Sequence, residues 1–352
     1  MNNLRGVSLF SSCGIAELYL KELNIKINTA NELLKDRARL YTQLYKDTNM
    51  IQGDIREKSV FNSILESVGD KVDFLLASPP CQGLSIAGKN RTATEYTNDE
   101  RNSLINRVID FIRIKSPRFV LIENVPELLK LKLIQSNKLV NIINFLEFEF
   151  GKKYNVDAQI LDAADYGVPQ KRKRAIIRLY KKNLSWSWPD KERKVTVREA
   201  IEHLPSLEAG ESSDIPWHYA RKHIARHVVW MKNTPTGQTA FKNKVHYPQK
   251  TDGTRIKGYE STYRRIKWDE PAPAITIRND AISSQRNVHP GRLLADGTHS
   301  DARVLTPLEL MLLSSIPEKN DIPLDTSELL IRRCIGECIP PLMVKKIIGC
   351  IR

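Results

Sequence analysis

The chain has 352 residues, 41% of them hydrophobic and 27% charged, and carries a formal net charge of +14. That size and balance predict a packed globule of one large domain or two unequal ones. No apolar run approaches the ~20 residues that a membrane-spanning helix needs. The five cysteines, Cys13, Cys81, Cys334, Cys338 and Cys350, are too few and too scattered for a disulfide framework, which fits a reducing cytoplasm.

Leu4–Phe10 reads as a first strand, with Met1–Gly6 leading straight into it and no signal peptide ahead. Ile15–Leu23 has the apolar spacing of an amphipathic helix. Ile27–Asn31 then reads as a strand, Asp36–Tyr45 as a helix and Met50–Gln52 as a short strand. Lys58–Val68 (helix), Val72–Ala77 (strand), Asn102–Lys115 (helix), Phe119–Ile122 (strand) and Ile134–Phe150 (helix) continue the alternation. Such alternation implies an α/β fold: a parallel sheet with helices on both faces. Val156–Leu161 and Ala175–Tyr180 are joined by too short a loop for a crossover helix, so they should pair antiparallel at the edge. Beyond Tyr180 the texture changes to tryptophan, histidine and proline without alternation. The expected division is residues 1–184, completed by a C-terminal helical segment 328–352, with a smaller domain and hinge at 185–327.

The basic surplus lies in Lys171–Arg174, Arg221–Arg226 and Arg255–Lys267 rather than in a tail. That pattern favours an extended basic face on a folded body, as phosphate contacts along a duplex require. His218, His223 and His227 fit no common zinc spacing, so no metal is assigned.

Candidate chemistry gathers at strand ends. Two prolines stop the Val72–Ala77 strand and deliver Cys81 to a polar, basic loop, where open α/β sheets place their reacting groups. Val7–Gly14 turns from strand to helix and is expected to offer backbone N–H groups. Glu32 and Asp54 close the next two strands, a set that favours an adenosine-bearing ligand. Glu123 follows four apolar residues and is expected to be partly buried and able to hold a proton. Alternation along Gln170–Arg174 puts Gln170, Arg172 and Arg174 on one face, facing a thiolate or a substrate carbonyl.

Phe10–Gly14, Glu32, Gly53-Asp54-Ile55, Pro79-Pro80-Cys81-Gln82, Glu123-Asn124-Val125, Gln170–Arg174 and Arg303–Glu309 together resemble the ordered motifs of the DNA cytosine carbon-5 methyltransferases, over nearly the whole chain. The resemblance implies a Rossmann-like methyltransferase sheet, S-adenosylmethionine as cofactor, and double-stranded DNA as substrate. It makes residues 185–327 the target-recognition domain. Cys81 would attack a flipped-out cytosine, Glu123 would hold its N3 edge, and Arg172 and Arg174 its carbonyl side. Phe10, Ser12 and Cys13 would line the cofactor, Glu32 would take its ribose, Asp54 and Ile55 its adenine, and Pro80 and Leu104 would lie near the methyl donor. Glu337 stands where the family usually has asparagine and would face the cofactor ammonium. Ser12 and Ile15 replace usual glycines. Gln82, Ser85, Arg221, Arg226 and Arg264 are the expected DNA contacts. The size resembles bacterial modification enzymes, implying a cytoplasmic monomer paired with a restriction endonuclease. An RNA cytosine methyltransferase, or an inactive DNA-binding regulator on the same scaffold, are the alternatives.

Overall fold

The computed structural model describes residues 3–80 and 102–352; Cys81, Gln82 and Ser85 lie outside the described residues. Seven strands form one sheet in the order β3-β2-β1-β4-β5-β9-β8. They are β1 (Leu4–Leu9), β2 (Ile25–Glu32), β3 (Asn49–Gln52), β4 (Phe74–Ala77), β5 (Phe119–Asn124), β8 (Tyr154–Asp162) and β9 (Lys173–Lys181). The first five run parallel, and β9 pairs antiparallel with both β5 and β8.

One face of the sheet presents Val7, Leu9, Leu75, Ala77, Val120 and Ile122. They pack with Phe61 and Ile64 of α2 (Lys58–Ser67), Ile105 to Ile112 of α3 (Asn102–Lys115), and Leu146 of α4 (Ile142–Phe150). The alternate residues Phe74, Leu76, Phe119 and Leu121 are also buried, on the opposite face. There the Trp186 ring meets Phe119 edge-on at 5.8 Å, and its Nε1 donates to the Ile347 carbonyl at 2.8 Å. The helix α1 (Lys35–Leu44) adds Leu40 and Tyr41 to the core.

Two expected helices are replaced. Ile134–Phe150 is a hairpin, β6 (Lys132–Gln135) with β7 (Lys138–Asn141), followed only then by α4. Ser136 and Asn137 both hold positive φ, 47° and 63°, the two-residue turn whose twist suits antiparallel strands. Asn141 caps α4 by accepting from the Ile143 N–H. Ile15–Leu23 is two 3-10 turns, Ile15–Glu17 and Lys21–Leu23, because Gly14 and Asn24 close it on either side in left-handed conformations.

The chain divides into two compact units. The first takes residues 1–162, 173–190 and 344–352 and holds the sheet; the second takes 163–172 and 191–343. The second thus includes α8 (Glu328–Glu337) and a ten-residue excursion between β8 and β9. It has little regular structure: α5 (Val197–Ile201), α6 (Ala225–Lys232), α7 (Pro307–Leu313) and isolated strand bridges. Its apolar cluster centres on Trp230, Met231, Tyr263, Val288 and Val304. Among the described residues no helix is long and apolar enough to cross a membrane.

Candidate active site

Within the first unit, the parallel strands end at one level. Asn31, buried on β2, fixes that level by donating its amide to the Ile51 carbonyl at 2.8 Å and the Gly53 carbonyl at 3.1 Å. The turn Phe10–Gly14 follows β1. Glu32 at the end of β2 accepts from Ser12 N at 2.8 Å through one oxygen and from Leu34 N at 2.8 Å through the other. Each carboxylate oxygen keeps a further lone pair, so Glu32 can still accept from vicinal hydroxyls. This edge therefore fits an adenosine cofactor: a left-handed turn, its Ser11, Ser12 and Gly14 N–H groups satisfied within the protein, stands beside an acid that can accept ribose hydroxyls.

The other expected cofactor residues differ in how they can contribute. Cys13 and Ile55 are buried in the core, so only their backbone is presented. The Asp54 carboxylate is chelated by Arg56 at 2.6 to 3.0 Å, which holds its acid below the usual range and competes with any adenine contact. Phe10 and Leu104 are half-buried against the core, and Pro80 is exposed. Glu337 is half-buried at the end of α8 in the second unit.

Beside the turn, β4 ends in Ala77 and the chain continues through Pro79-Pro80 toward Cys81. Two residues on β5 organise this point. Sequence patterning ends the strand at Ile122, but antiparallel pairing with β9 carries it on, setting Glu123 opposite Ile176 and Asn124 opposite Ala175. Asn124 is buried; its Nδ2 donates to the Pro79 carbonyl at 2.8 Å, and its Oδ1 accepts from Val125 N. The Asn124 amide thus pins the backbone two residues before Cys81, a role visible in sequence only as the middle residue of Glu-Asn-Val. Glu123 is buried as expected, and its Oε1 is 2.7 Å from Arg174 Nε.

Arg172 and Arg174 part company. Arg174 belongs to the first unit and serves Glu123. Arg172 belongs to the second, is buried, and donates to the Ile275 carbonyl at 2.7 Å and the Gly336 carbonyl at 2.9 Å. Gln170 is buried with it; its amide donates to Leu313 O and Ser314 Oγ and accepts from Ile275 N. These two motif residues brace backbone in the second unit.

The expected DNA-facing arginines also separate. Arg221 lies 3.2 Å from Glu328, and Arg264 donates to the Glu260 carbonyl with the Glu260 carboxylate 3.9 Å away. Arg226 is exposed on α6 with its guanidinium over Trp230. His218 is buried between Thr306 Oγ1 and the Pro205 carbonyl, and His227 stacks on Trp230 at 4.9 Å. The basic stretch beginning at Arg255 extends further back than sequence suggested, into the hairpin-like loop Pro248–Ile256, turning at Asp252-Gly253, with Lys250 and Arg255 on it and Lys244 and Lys257 flanking, all exposed.

Residues 4–352 match the family described as C-5 cytosine-specific DNA methylase. The chain belongs to that family. It is a DNA (cytosine-5-)-methyltransferase. It is 58% identical to the Type II methyltransferase M1.HgaI of Avibacterium volantium, over 98% of this chain and 97% of the relative. It is 27% identical to the Type II methyltransferase M1.HphI of Haemophilus parahaemolyticus, over 98% and 86%. Among solved structures, Spodoptera frugiperda DNMT2 shares the methylase fold with a TM-score of 0.61 at 15% identity, covering 98% of each chain. The Entamoeba histolytica methyltransferase EhMeth does so with a TM-score of 0.62 at 13% identity, over 98% and 97%. Family and fold together imply use of S-adenosylmethionine.

Proposed function

We propose that this methylase modifies carbon-5 of a cytosine flipped out of a specific duplex DNA sequence. It would serve in the cytoplasm as the modification enzyme of a Type II restriction–modification pair. The observation that carries the reading is the pairing of buried Glu123 with Arg174, one residue from the asparagine that pins the approach to Cys81.

Cytosine carbon-5 is a poor nucleophile. The Cys81 thiolate adds to carbon-6, forming a sulfur–carbon bond and moving an electron pair toward carbon-5, which divides one difficult step into two. Glu123 shares a proton with ring N3, stabilising the charge that collects there, while Arg174 fixes the orientation of its carboxylate. S-adenosylmethionine, when bound, supplies the electrophilic methyl group. Loss of the carbon-5 proton to base then expels the cysteine thiolate and restores the aromatic ring. The target must leave the base stack for any of this to occur.

In this reading the turn Phe10–Cys13 and Glu32 hold the cofactor, with Asp54 and the Ile55 backbone at its adenine, Pro80 and Leu104 near its methyl, and Glu337 toward its ammonium. The second unit reads the target. Arg226 and the exposed lysines Lys244, Lys250 and Lys257 are its cations for phosphate, ahead of Arg221 and Arg264, which already have acidic partners, and of Arg255, which donates to the Phe241 and Asn243 carbonyls.

Bisulfite sequencing of DNA from cells expressing the protein should reveal one methylated sequence context. Duplexes of that context carrying 5-fluorocytosine should form a denaturant-resistant adduct with wild type and none with Cys81→Ala. Methylation without an adduct would overturn the covalent route, and methylation of transfer RNA alone would overturn the substrate.

A further inference from the structure

Phe10, Ser12 and Gly14 hold φ of 59°, 50° and 81°. Left-handed backbone is disfavoured for residues that carry a Cβ, so two such residues within one short turn need support from outside it. The strand side supplies part: Ser11 N and Oγ both donate to the Asn31 carbonyl, and Ser12 N to Glu32.

On the opposite side stand side chains that the proposed reaction does not use. The Tyr45 hydroxyl donates to the Gly14 carbonyl at 2.7 Å. A Cβ on Gly14 would collide with the Tyr45 ring and press on Tyr41, whose ring lies 4.7 Å from that of Tyr45. The Tyr41 hydroxyl in turn donates to Glu17 Oε2 at 2.5 Å, and Glu17 N donates to the same Gly14 carbonyl at 3.0 Å. Glu17 is 3% exposed, and its second oxygen, Oε1, is buried with no hydrogen-bond partner. Burial raises its acid to about 7. The groups facing this acid are Ser8 of β1, and Tyr41 and Tyr45 of the neighbouring helix and its end, with Cys13 of the turn beside Tyr45; none of the four is a cation.

We infer that Tyr45, Tyr41 and Glu17 are positioning residues for the cofactor, bracing the Phe10–Gly14 turn from beneath in the left-handed shape that receives S-adenosylmethionine. This rests on the turn being the cofactor site. The ionised form of Glu17 places a negative charge beneath a cofactor that carries a sulfonium. Cofactor affinity therefore rises with pH through about 7.

Calorimetric titration of the full chain with S-adenosylmethionine, without DNA, tests this. Tyr45→Phe keeps the ring and loses the hydroxyl; its dissociation constant should rise about 10-fold, the effect of one hydrogen bond. The KM for cofactor should rise in step while kcat at saturation falls less than about twofold. Wild type should bind several-fold tighter at pH 8 than at pH 6, and Glu17→Gln should abolish that dependence. If wild type binds no cofactor, the reading of the turn itself fails. If wild type binds while Tyr45→Phe binds equally well, or Glu17→Gln retains the pH dependence, the brace is overturned.

Discussion

The two units are held together by different means. In the first, strands such as β4 and β5 are buried across both faces by a hydrocarbon cluster from Val7 to Leu179, and Arg178 is the fully buried guanidinium among its described residues. In the second, guanidinium groups occupy the interior. Arg303, fully buried, bonds to both Glu309 oxygens at 2.8 and 2.9 Å, to Asp301 at 2.9 Å and to the Leu207 carbonyl at 2.7 Å. Arg265, also fully buried, has no carboxylate bond; it gathers the carbonyls of Met231, His289, Ser300 and Asp301. A sheet satisfies its own backbone, so apolar side chains can fill the space around it. A unit of irregular chain leaves carbonyls without ladder partners, and a forked cation can satisfy several at once.

The largest test of the contrast is Arg303→Ala. It leaves Glu309 and Asp301 buried without their cation and should cost about 4 kcal/mol, with hydrogen exchange accelerating across residues 191–343. Unchanged protection there would mean that the network is not what holds the second unit. Leu121→Ala removes a fully buried side chain from β5, an interior strand of the other unit's sheet, and should cost about 3 kcal/mol, by denaturant titration. A cost under about 1 kcal/mol would show the sheet relaxing into the gap.

Acid should separate the units by sign. Burial depresses the His289 imidazole to about 4, so its folded form favours neutrality, and stability present above pH 6.5 is lost as pH falls toward 4. Glu17 is the reverse: burial raises it to about 7, so stability grows as pH falls from 7 toward 4.5. Between pH 7 and pH 5 each effect amounts to about 2 kcal/mol, in opposite directions. Exchange protection should then fall in the second unit and rise around residues 8–45. Glu17→Gln and His289→Phe should each flatten one of the two profiles.

The sheet was legible because a repeated strand–helix alternation leaves few arrangements; Asn102–Lys115 runs as a helix over the residues its spacing predicts. The hairpin at Lys132–Asn141 was not, because Leu133, Ile134, Leu139 and Val140 also satisfy helical spacing. The deciding signal was the Ser136-Asn137 turn, not the apolar pattern. At the site, Glu123 stood out as an acid ending an apolar run. The separate duties of Arg172 and Arg174 did not, since period-two alternation assigns a face and not a partner. Arg221 looked like a phosphate contact because local sequence shows a charge but not the acid, Glu328, that folding brings to it, whereas the partner of Arg264, Glu260, lies only four residues away.

The first unit is assembled from three stretches of chain. Its last stretch is fastened where Arg352 N donates to the Ser185 carbonyl and Ile351 bridges Trp186. During synthesis the core around Trp186 therefore stays open until every residue of the second unit has left the ribosome. The same clasp makes residues 191–343, the longer of the second unit's two stretches, an insertion between segments fastened to each other in the first unit. Replacing residues 191–343 by another sequence of suitable span would keep the strands, the Phe10–Gly14 turn and Glu123, provided the new sequence again offers Arg172 and Gln170 the backbone they now take from Ile275, Leu313 and Gly336. In the proposed reading, a chain wired this way acquires new DNA targets by exchange of that cassette.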